Sequence, residues 1–564
     1  MVTDKNEPDM LTKIQAKLDP LGWTTATASA IGQAARNPAP MAVAGVRLMT
    51  GLATLPFAAA GKAFSVPVAP PIEPNPKDRR FSDASWDESA YYFAVRQFYD
   101  LVCRYVDEVL AAGHTDDLTD LKAALTAHLL TDAAAPTNFL LTNPVAMRKA
   151  LDTAGRSLVD GAKLALSDLV ERKGMPEKVD ASVFTLGEDM AATKGSVIYR
   201  NDLMELIQYS PQTEQVHEIP LLASPPWINK FYVMDLAPSR SLVEWAVQHG
   251  RTVFMISYRN PDASMADVTM DDYLEQGVLQ AMDIVQEVTG SDTIDVLSLC
   301  LGGAMASMAA AHLAARQDTR LGTLTLLNTI LDYSEPGDLA AFVDPQSLDR
   351  IDVRMGETGF LDENDMALAF DLLRARDLIF RYIPERWLLG KASQPFDILA
   401  WNGDATRMPA AMHSSYLRLL YGENRLAKDE MELGGQHLHL GDVDSEIYVV
   451  GAVNDHIVLW TTSYSATQLF TGEVRYVLSS GGHIAGVVNP PSPKAWFEAL
   501  PAGADNPESP LEWREEATRQ DGSWWEDWIE WSVARAGKLV PAPKRLGNRK
   551  YKPLEDAPGT YVRH

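Results

Sequence analysis

At 564 residues the chain is too long for one hydrophobic core, and its 46% hydrophobic and 22% charged residues describe a folded protein of more than one domain rather than a disordered one. A formal net charge of −26 argues against nucleic acid as a partner, while leaving room for a local basic pocket that holds a small anion. Two cysteines, Cys103 and Cys300, cannot build a disulfide framework, and "MVTDKNEPDM" lacks the basic start and apolar core of a secretion signal, so the cytoplasm is the expected compartment.

Residues 1–63 form an Ala-rich N-terminal segment. Its run "LMTGLATLPFAAAG" at 48–61 is too short to span a bilayer and carries Pro56, but it can touch an apolar surface. The proline density of "FSVPVAPPIEPNPKDRRF" marks 64–81 as a linker. Residues 82–180 read as a helical domain, because apolar residues recur at helical spacing from Asp87 to Leu130. Cys103 lies in that stripe and reads as a small buried apolar residue.

From 181 the pattern turns to β. "GSVIYRNDLMELIQY" has two strands flanking Asn201 and Asp202, a hairpin. Strand-like "INKFYVMDL", "TVFMISY", "TIDVLSL" and "LGTLTLLNT" then alternate with helical segments, including those from Asp271 to Val288 and from Gly302 to Arg316, which predicts a mostly parallel sheet with crossover helices over 181–331. The alternation stops over 332–442, a helical and irregular stretch that reads as an inserted cap or lid, with the apolar helix around Phe370 to Trp387 as its covering element. Strands resume at "SEIYVVGA" and "EVRYVLSS", so 443–564 returns to the sheet. Six of the 13 tryptophans fall in 496–531. Trp524, Trp528 and Trp531 share one helical stripe there, which predicts a packed C-terminal helix. The longest uncharged run, Val296 to Ala315, contains Ser298, Cys300, a Gly-Gly pair and His312, and reads as a buried strand followed by a buried helix, so no membrane span is expected.

That strand-to-helix junction, "VLSLCLGGAMAS", carries the chemistry. A sharp strand-to-helix turn needs small residues two before and two after the turning residue, and Ser298 and Gly302 supply them around Cys300. The turning side chain is then forced outward, with the next amide, that of Leu301, pointing where an oxyanion would form. In α/β-hydrolases the nucleophile, acid and histidine follow in that chain order from the ends of successive strands. Asp455 stands just past "EIYVVGA" and His483 in a Gly-rich loop just past "EVRYVLSS". His456 competes for the base role, but neighbours on extended backbone point apart, so Asp455 orients a distant ring more readily. His437 and His439 share a face if "QHLHL" is extended; no ligand set accompanies them, and no metal is expected.

The chain resembles the class I polyhydroxyalkanoate synthases. The resemblance is carried by "DRRFSDASW", "PTNFLLTNP" and "LGEDMAATKGSVIYRNDLMELIQY" in the N-terminal half. In the second half it is carried by "PPWINKFYVMDL", "SYRNPDASM", "LSLCLGG", "PFDILAWNGDATRMP", "NDHIVLW", "SGGHIAGVVNPP" and "GSWWEDW". It implies an α/β-hydrolase-type catalytic domain with an inserted cap, preceded by a mainly helical N-terminal domain tied to dimerisation and granule association. It implies Cys300, Asp455 and His483 as the catalytic triad, with oxyanion amides at Leu301 and near Ile228. The implied substrate is a short-chain (R)-3-hydroxyacyl-coenzyme A, which needs no cofactor beside it. The implied product is a polyester on the surface of cytoplasmic granules, with a homodimer and phasin-type granule proteins as partners. A thioesterase or polyester hydrolase with the same triad is the alternative. Three positions depart from the usual wording: Ser298 stands for glycine, Tyr258 for tryptophan and Leu459 for proline.

Overall fold

The computed structural model describes Asp19 and residues 21–564, in two compact units: residues up to Asp180 with Leu368–Pro395, and Ala181–Ala367 with Phe396–His564.

The first unit is helical: α1 (Trp23–Ala35), α2 (Pro38–Ala63), α3 (Ala90–Ala112), α4 (Asp117–Ala133), α5 (Pro144–Asp152) and α6 (Arg156–Glu171). Side-chain caps fix two of the starts. Asp116 accepts from the Thr119 amide ahead of α4, and Asn143 accepts from Val145 and Ala146 ahead of α5, whose first residue is Pro144. Helices α2 and α3 touch where Gly51 faces buried Leu101, and a Cβ on Gly51 would lie 2.4 Å from Leu101 Cδ2. Cys103 lies half-buried on α3, and burial raises its thiol pKa, as suits a packing residue.

One expectation needs correction here. The run at 48–61, expected to be too short to span a bilayer, is part of a longer helix: α2 continues through Pro56, and on length and composition alone this helix is long and apolar enough to cross a membrane. Leu368–Pro395 of the insertion groups with the helical unit. Asp168 is fully buried on α6, and its charge is answered by Arg386, whose Nη2 stands 2.9 Å from Oδ1, and by Trp387 Nε1, 2.8 Å from Oδ2. Arg386 also reaches Glu177 at 2.9 Å. The Phe370–Trp387 stretch, read from sequence as a cover for the site, is thereby a part of the helical unit.

The second unit is built on an 11-stranded sheet. Its strands are β1 (Gly195–Arg200), β2 (Met204–Tyr209), β3 (Leu221–Ser224), β4 (Val253–Tyr258), β5 (Ile294–Leu299), β6 (Leu321–Leu327), β7 (Ile447–Ala452), β8 (Val474–Ser479), β9 (Trp496–Ala499), β10 (Thr518–Asp521) and β11 (Glu555–Asp556). The order is β10-β9-β8-β7-β6-β5-β3-β4-β2-β1-β11, parallel from β8 to β4 and antiparallel at both flanks. The hairpin flanking Asn201 and Asp202 is β1–β2, pairing Val197 with Ile207. "INKFYVMDL" is not a strand. The strand is "LLAS", ended by Pro225 and Pro226, and Phe231–Val233 form a buried 3₁₀ turn; a short uniformly apolar run carries no period that separates the two. Helix α7 (Leu301–Ala315) follows β5 and is buried almost throughout, and α8 (Trp524–Arg535) closes the tryptophan-rich segment. Strands β6 and β7 are parallel neighbours in the sheet although the long insertion separates them in the chain.

Candidate active site

Cys300 stands between the end of β5 and the start of α7 with φ 51° and ψ −119°, a conformation L-residues rarely adopt. Its surroundings leave it little choice. Its amide donates to Leu327 O at 2.8 Å, and the amides of Gly303 and Ala304 close on its own carbonyl at 2.9 and 3.2 Å. A Cβ on Gly302 would lie 2.4 Å from Ser224 O and 2.5 Å from Pro225 O, so only glycine lets α7 start this close to the end of β3. Ser298 is fully buried, and its hydroxyl donates to Thr325 O at 2.8 Å, which is how a residue larger than glycine is accommodated there. Leu301 opens α7. Ile228 lies on the loop after β3, whose next residue, Asn229, takes φ 64° and donates its amide to Thr406 Oγ1 at 2.8 Å. Gly302 packing on Pro225 brings these two segments together beside the thiol.

Asp455 is buried past the end of β7. Its Oδ1 accepts from the amides of Ile457 and Val458 at 2.8 and 2.9 Å, and its Oδ2 accepts from His483 Nδ1 at 2.7 Å. The ring that Asp455 orients is thus His483, past the end of β8, while His456 lies half-buried beside the carboxylate. Cys300 is the other group that acts on the charge of the His483 ring. Burial works against charging the ring, but the charge and hydrogen bond of Asp455, with the contact to Cys300, outweigh it and push the His483 pKa up to about 10.

Residues that sequence reasoning missed hold this loop. Asn328, at φ 43° just past β6, donates Nδ2 to His483 O at 2.5 Å. Trp524 and Trp525 on α8 donate their indole N–H groups to Gly486 O at 2.8 Å and Val487 O at 2.9 Å, and Trp528 donates to Thr325 Oγ1 at 3.1 Å. The tryptophan stripe therefore packs and also tethers the histidine turn. His437 and His439 stand apart on the hairpin of Met431–Leu433 and Gln436–Leu438, ring centroids 4.7 Å apart, with Asp429 3.6 Å from His439. Leu459, at φ −55°, keeps a backbone that proline would also fit.

An aromatic wall adjoins the thiol. Tyr333 and Tyr421 pack edge to face at 4.7 Å, Tyr421 and Tyr416 at 5.7 Å, and Tyr416 against Trp227 at 5.7 Å, with Tyr273 and Tyr258 beyond. Tyr416 and Tyr421 are five apart, a spacing that neither a helical stripe nor a strand alternation singles out. They fall at a π-helical turn, Leu417–Gly422, whose i→i+5 closure brings such residues onto one face.

Residues 77–246 match the family described as Poly-beta-hydroxybutyrate polymerase (PhaC) N-terminus, and residues 225–490 match the alpha/beta hydrolase fold. A poly(3-hydroxyalkanoate) polymerase of Methylorubrum extorquens is 41% identical over 497 residues, covering 88% of this chain and 82% of the relative. A poly(3-hydroxyalkanoate) polymerase subunit PhaC of Cupriavidus necator is 39% identical over 496 residues, covering 86% and 83%. Among solved structures, a monoacylglycerol lipase of Paleococcus ferrophilus aligns at 12% identity and a TM-score of 0.32, covering 59% of this chain and 99% of that one. With both parts of the chain matched and relatives near 40% identity over most of their length, the chain belongs to the poly(3-hydroxyalkanoate) polymerases, acyltransferases with an α/β-hydrolase fold.

Proposed function

We propose that the chain polymerises (R)-3-hydroxyacyl groups from coenzyme A thioesters through a covalent thioester on Cys300. The observation that carries this reading is the set Asp455, His483 and Cys300 at the ends of β7, β8 and β5, with the His483 ring oriented and kept charged by Asp455. In the acylation step the sulfur of Cys300, its proton held by the charged His483, bonds to C1 of the incoming thioester, the C1–S bond to coenzyme A breaks, and the departing thiolate takes the proton from His483, leaving the ring neutral. One thioester replaces another, so the activation is kept; a serine ester would lose it. In the elongation step a hydroxyl gives its proton to His483, its oxygen attacks C1, the C1–S bond to Cys300 breaks, and the sulfur recovers the proton. The amides of Leu301 and Ile228 are the groups assigned to the oxyanion. The substrate is short-chain, no cofactor is needed beside it, and the enzyme works as a homodimer on the cytoplasmic granule surface, readings that rest on the family resemblance.

The test is thiol release from (R)-3-hydroxybutyryl-coenzyme A with analysis of the product. Wild type is expected to release coenzyme A and leave insoluble polyester, and Cys300→Ala to release none. Equal release from both overturns the covalent reading, and soluble hydroxy acid in place of polymer favours a hydrolase.

A further inference from the structure

Tyr333 lies six residues past the end of β6, the strand beside the one that ends in Cys300. Its backbone is fixed: the amide donates to Asn424 Oδ1 at 2.9 Å, and Asn424 Nδ2 in turn donates to Asp332 Oδ1 at 2.7 Å. Its side chain is only 2% exposed, yet its hydroxyl has no hydrogen-bond partner among the described residues. A buried, unanswered hydroxyl costs about 1–3 kcal/mol. Neither of the other two phenols of the wall, Tyr416 and Tyr421, has a hydroxyl in that state. Tyr333 and Tyr416 belong to the buried cluster against which Cys300 and Tyr421 pack, and burial raises the pKa of all three phenols, so they stay protonated and able to donate.

An acyl group on Cys300 that answers this donor must carry an oxygen besides the one at C1. A simple fatty acyl chain has none. A 3-hydroxyacyl group has one at C3, as a hydroxyl in the monomer and as an ester oxygen once the chain has grown. We infer that the Tyr333 hydroxyl donates a hydrogen bond to the C3 oxygen of the acyl group carried by Cys300, making Tyr333 a residue that selects 3-oxygenated acyl groups over plain ones. The inference rests on the reading that Cys300 is acylated. A site built to bond a substrate oxygen discriminates far more sharply than an apolar pocket, because the analogue that lacks the oxygen leaves the donor buried and unpaired.

Tyr333→Phe removes the hydroxyl and keeps the ring against Tyr421. Single-turnover acylation of Cys300, followed by intact mass and thiol release, is compared for (R)-3-hydroxybutyryl-coenzyme A and butyryl-coenzyme A in both proteins. The expected result is a fall of about 10–100-fold in the ratio of the two rates, the loss falling on the hydroxyacyl thioester. Because the hydroxyl lacks a partner among the described residues, the variant should melt at or above the wild-type temperature. Alkylation of Cys300 by iodoacetamide, located by peptide mass, should be unchanged, which separates a binding defect from a damaged thiol. If wild type is acylated and the ratio is the same in Tyr333→Phe, the inference is wrong. If neither thioester acylates Cys300 in wild type, the covalent reading falls and takes the inference with it.

Discussion

At the turn around Cys300, Gly302 is hemmed in by backbone atoms, and replacing it with alanine is a direct test of how the turn works. The added Cβ would sit 2.4 Å from Ser224 O and 2.5 Å from Pro225 O. Both are backbone atoms, so no side chain can rotate out of the way. Relief to an ordinary contact of 3.4 Å requires a shift of about 1 Å (3.4 − 2.4) between the start of α7 and the end of β3. Overpacking of this kind costs about 1–3 kcal/mol. The same shift moves Leu301 against the loop of Ile228, and under the oxyanion role proposed for their amides the loss of one donor costs about 10²–10³-fold in turnover. The expected outcome for Gly302→Ala is a folded protein with a lowered melting temperature, Cys300 still alkylated by iodoacetamide, and thiol release from hydroxybutyryl-coenzyme A reduced by about two orders of magnitude. Gly303→Ala is the contrast. Its Cβ would meet Thr329 Oγ1 at 2.0 Å, but that atom belongs to a side chain, so the cost should fall on stability more than on rate. Turnover of Gly302→Ala within twofold of wild type in a folded protein would refute the account of the turn given above.

Three further outcomes can be measured. Ser298→Ala removes the hydrogen bond to Thr325 O, so chemical denaturation should show a loss of about 0.5–1.5 kcal/mol while thiol release changes less than about twofold. For Asp455→Asn the rate should fall by about 10²–10⁴-fold. The pH dependence of stability changes too. A His483 pKa of about 10 in the folded protein lies above the ordinary 6.5, so its charge contributes stability that is complete below pH 6.5 and lost as the pH rises through about 10. The stability gap between wild type and Asp455→Asn should therefore narrow between pH 7 and pH 10.5, and a gap that widens contradicts the assignment. Trp524→Phe loses the bond to Gly486 O and leaves a void under the histidine turn. Stability should drop by about 1–3 kcal/mol and turnover by about tenfold, the second effect being absent if the tether does not position His483.

Much of this architecture is legible in the sequence where the physics is local. "LSLCLGG" encodes the turn at Cys300 because crowding there is decided by residues two positions away, and Asp455 and His483 are readable because each follows an apolar strand. "INKFYVMDL" is misread because Phe231 to Met234 are all buried, and a run buried on every side has no period. The tyrosine pair at 416 and 421 is hidden by a π turn, which breaks the 3.6-residue template. The partnership of Arg386 with Asp168 spans more than 200 residues of chain, and no local pattern announces it. Asn328 looks like any loop asparagine until its left-handed backbone and its bond to His483 O are seen.

The insertion between β6 and β7 also governs the order in which the molecule can be assembled. During synthesis, β3 to β6 emerge together and can pair, whereas β7, the lateral neighbour of β6, is made only after the residues of the insertion. For that interval β6 is an edge strand, with Leu324 to Leu327 fully or nearly buried in the finished sheet and unpaired along one side in the nascent one. Sheets closed by such distant strands fold slowly and expose edges that recruit other chains. The nascent chain therefore carries the turn at Cys300, without Asp455 or His483, beside an open and aggregation-prone edge, and expression yield should depend on how fast ribosomes cross the insertion.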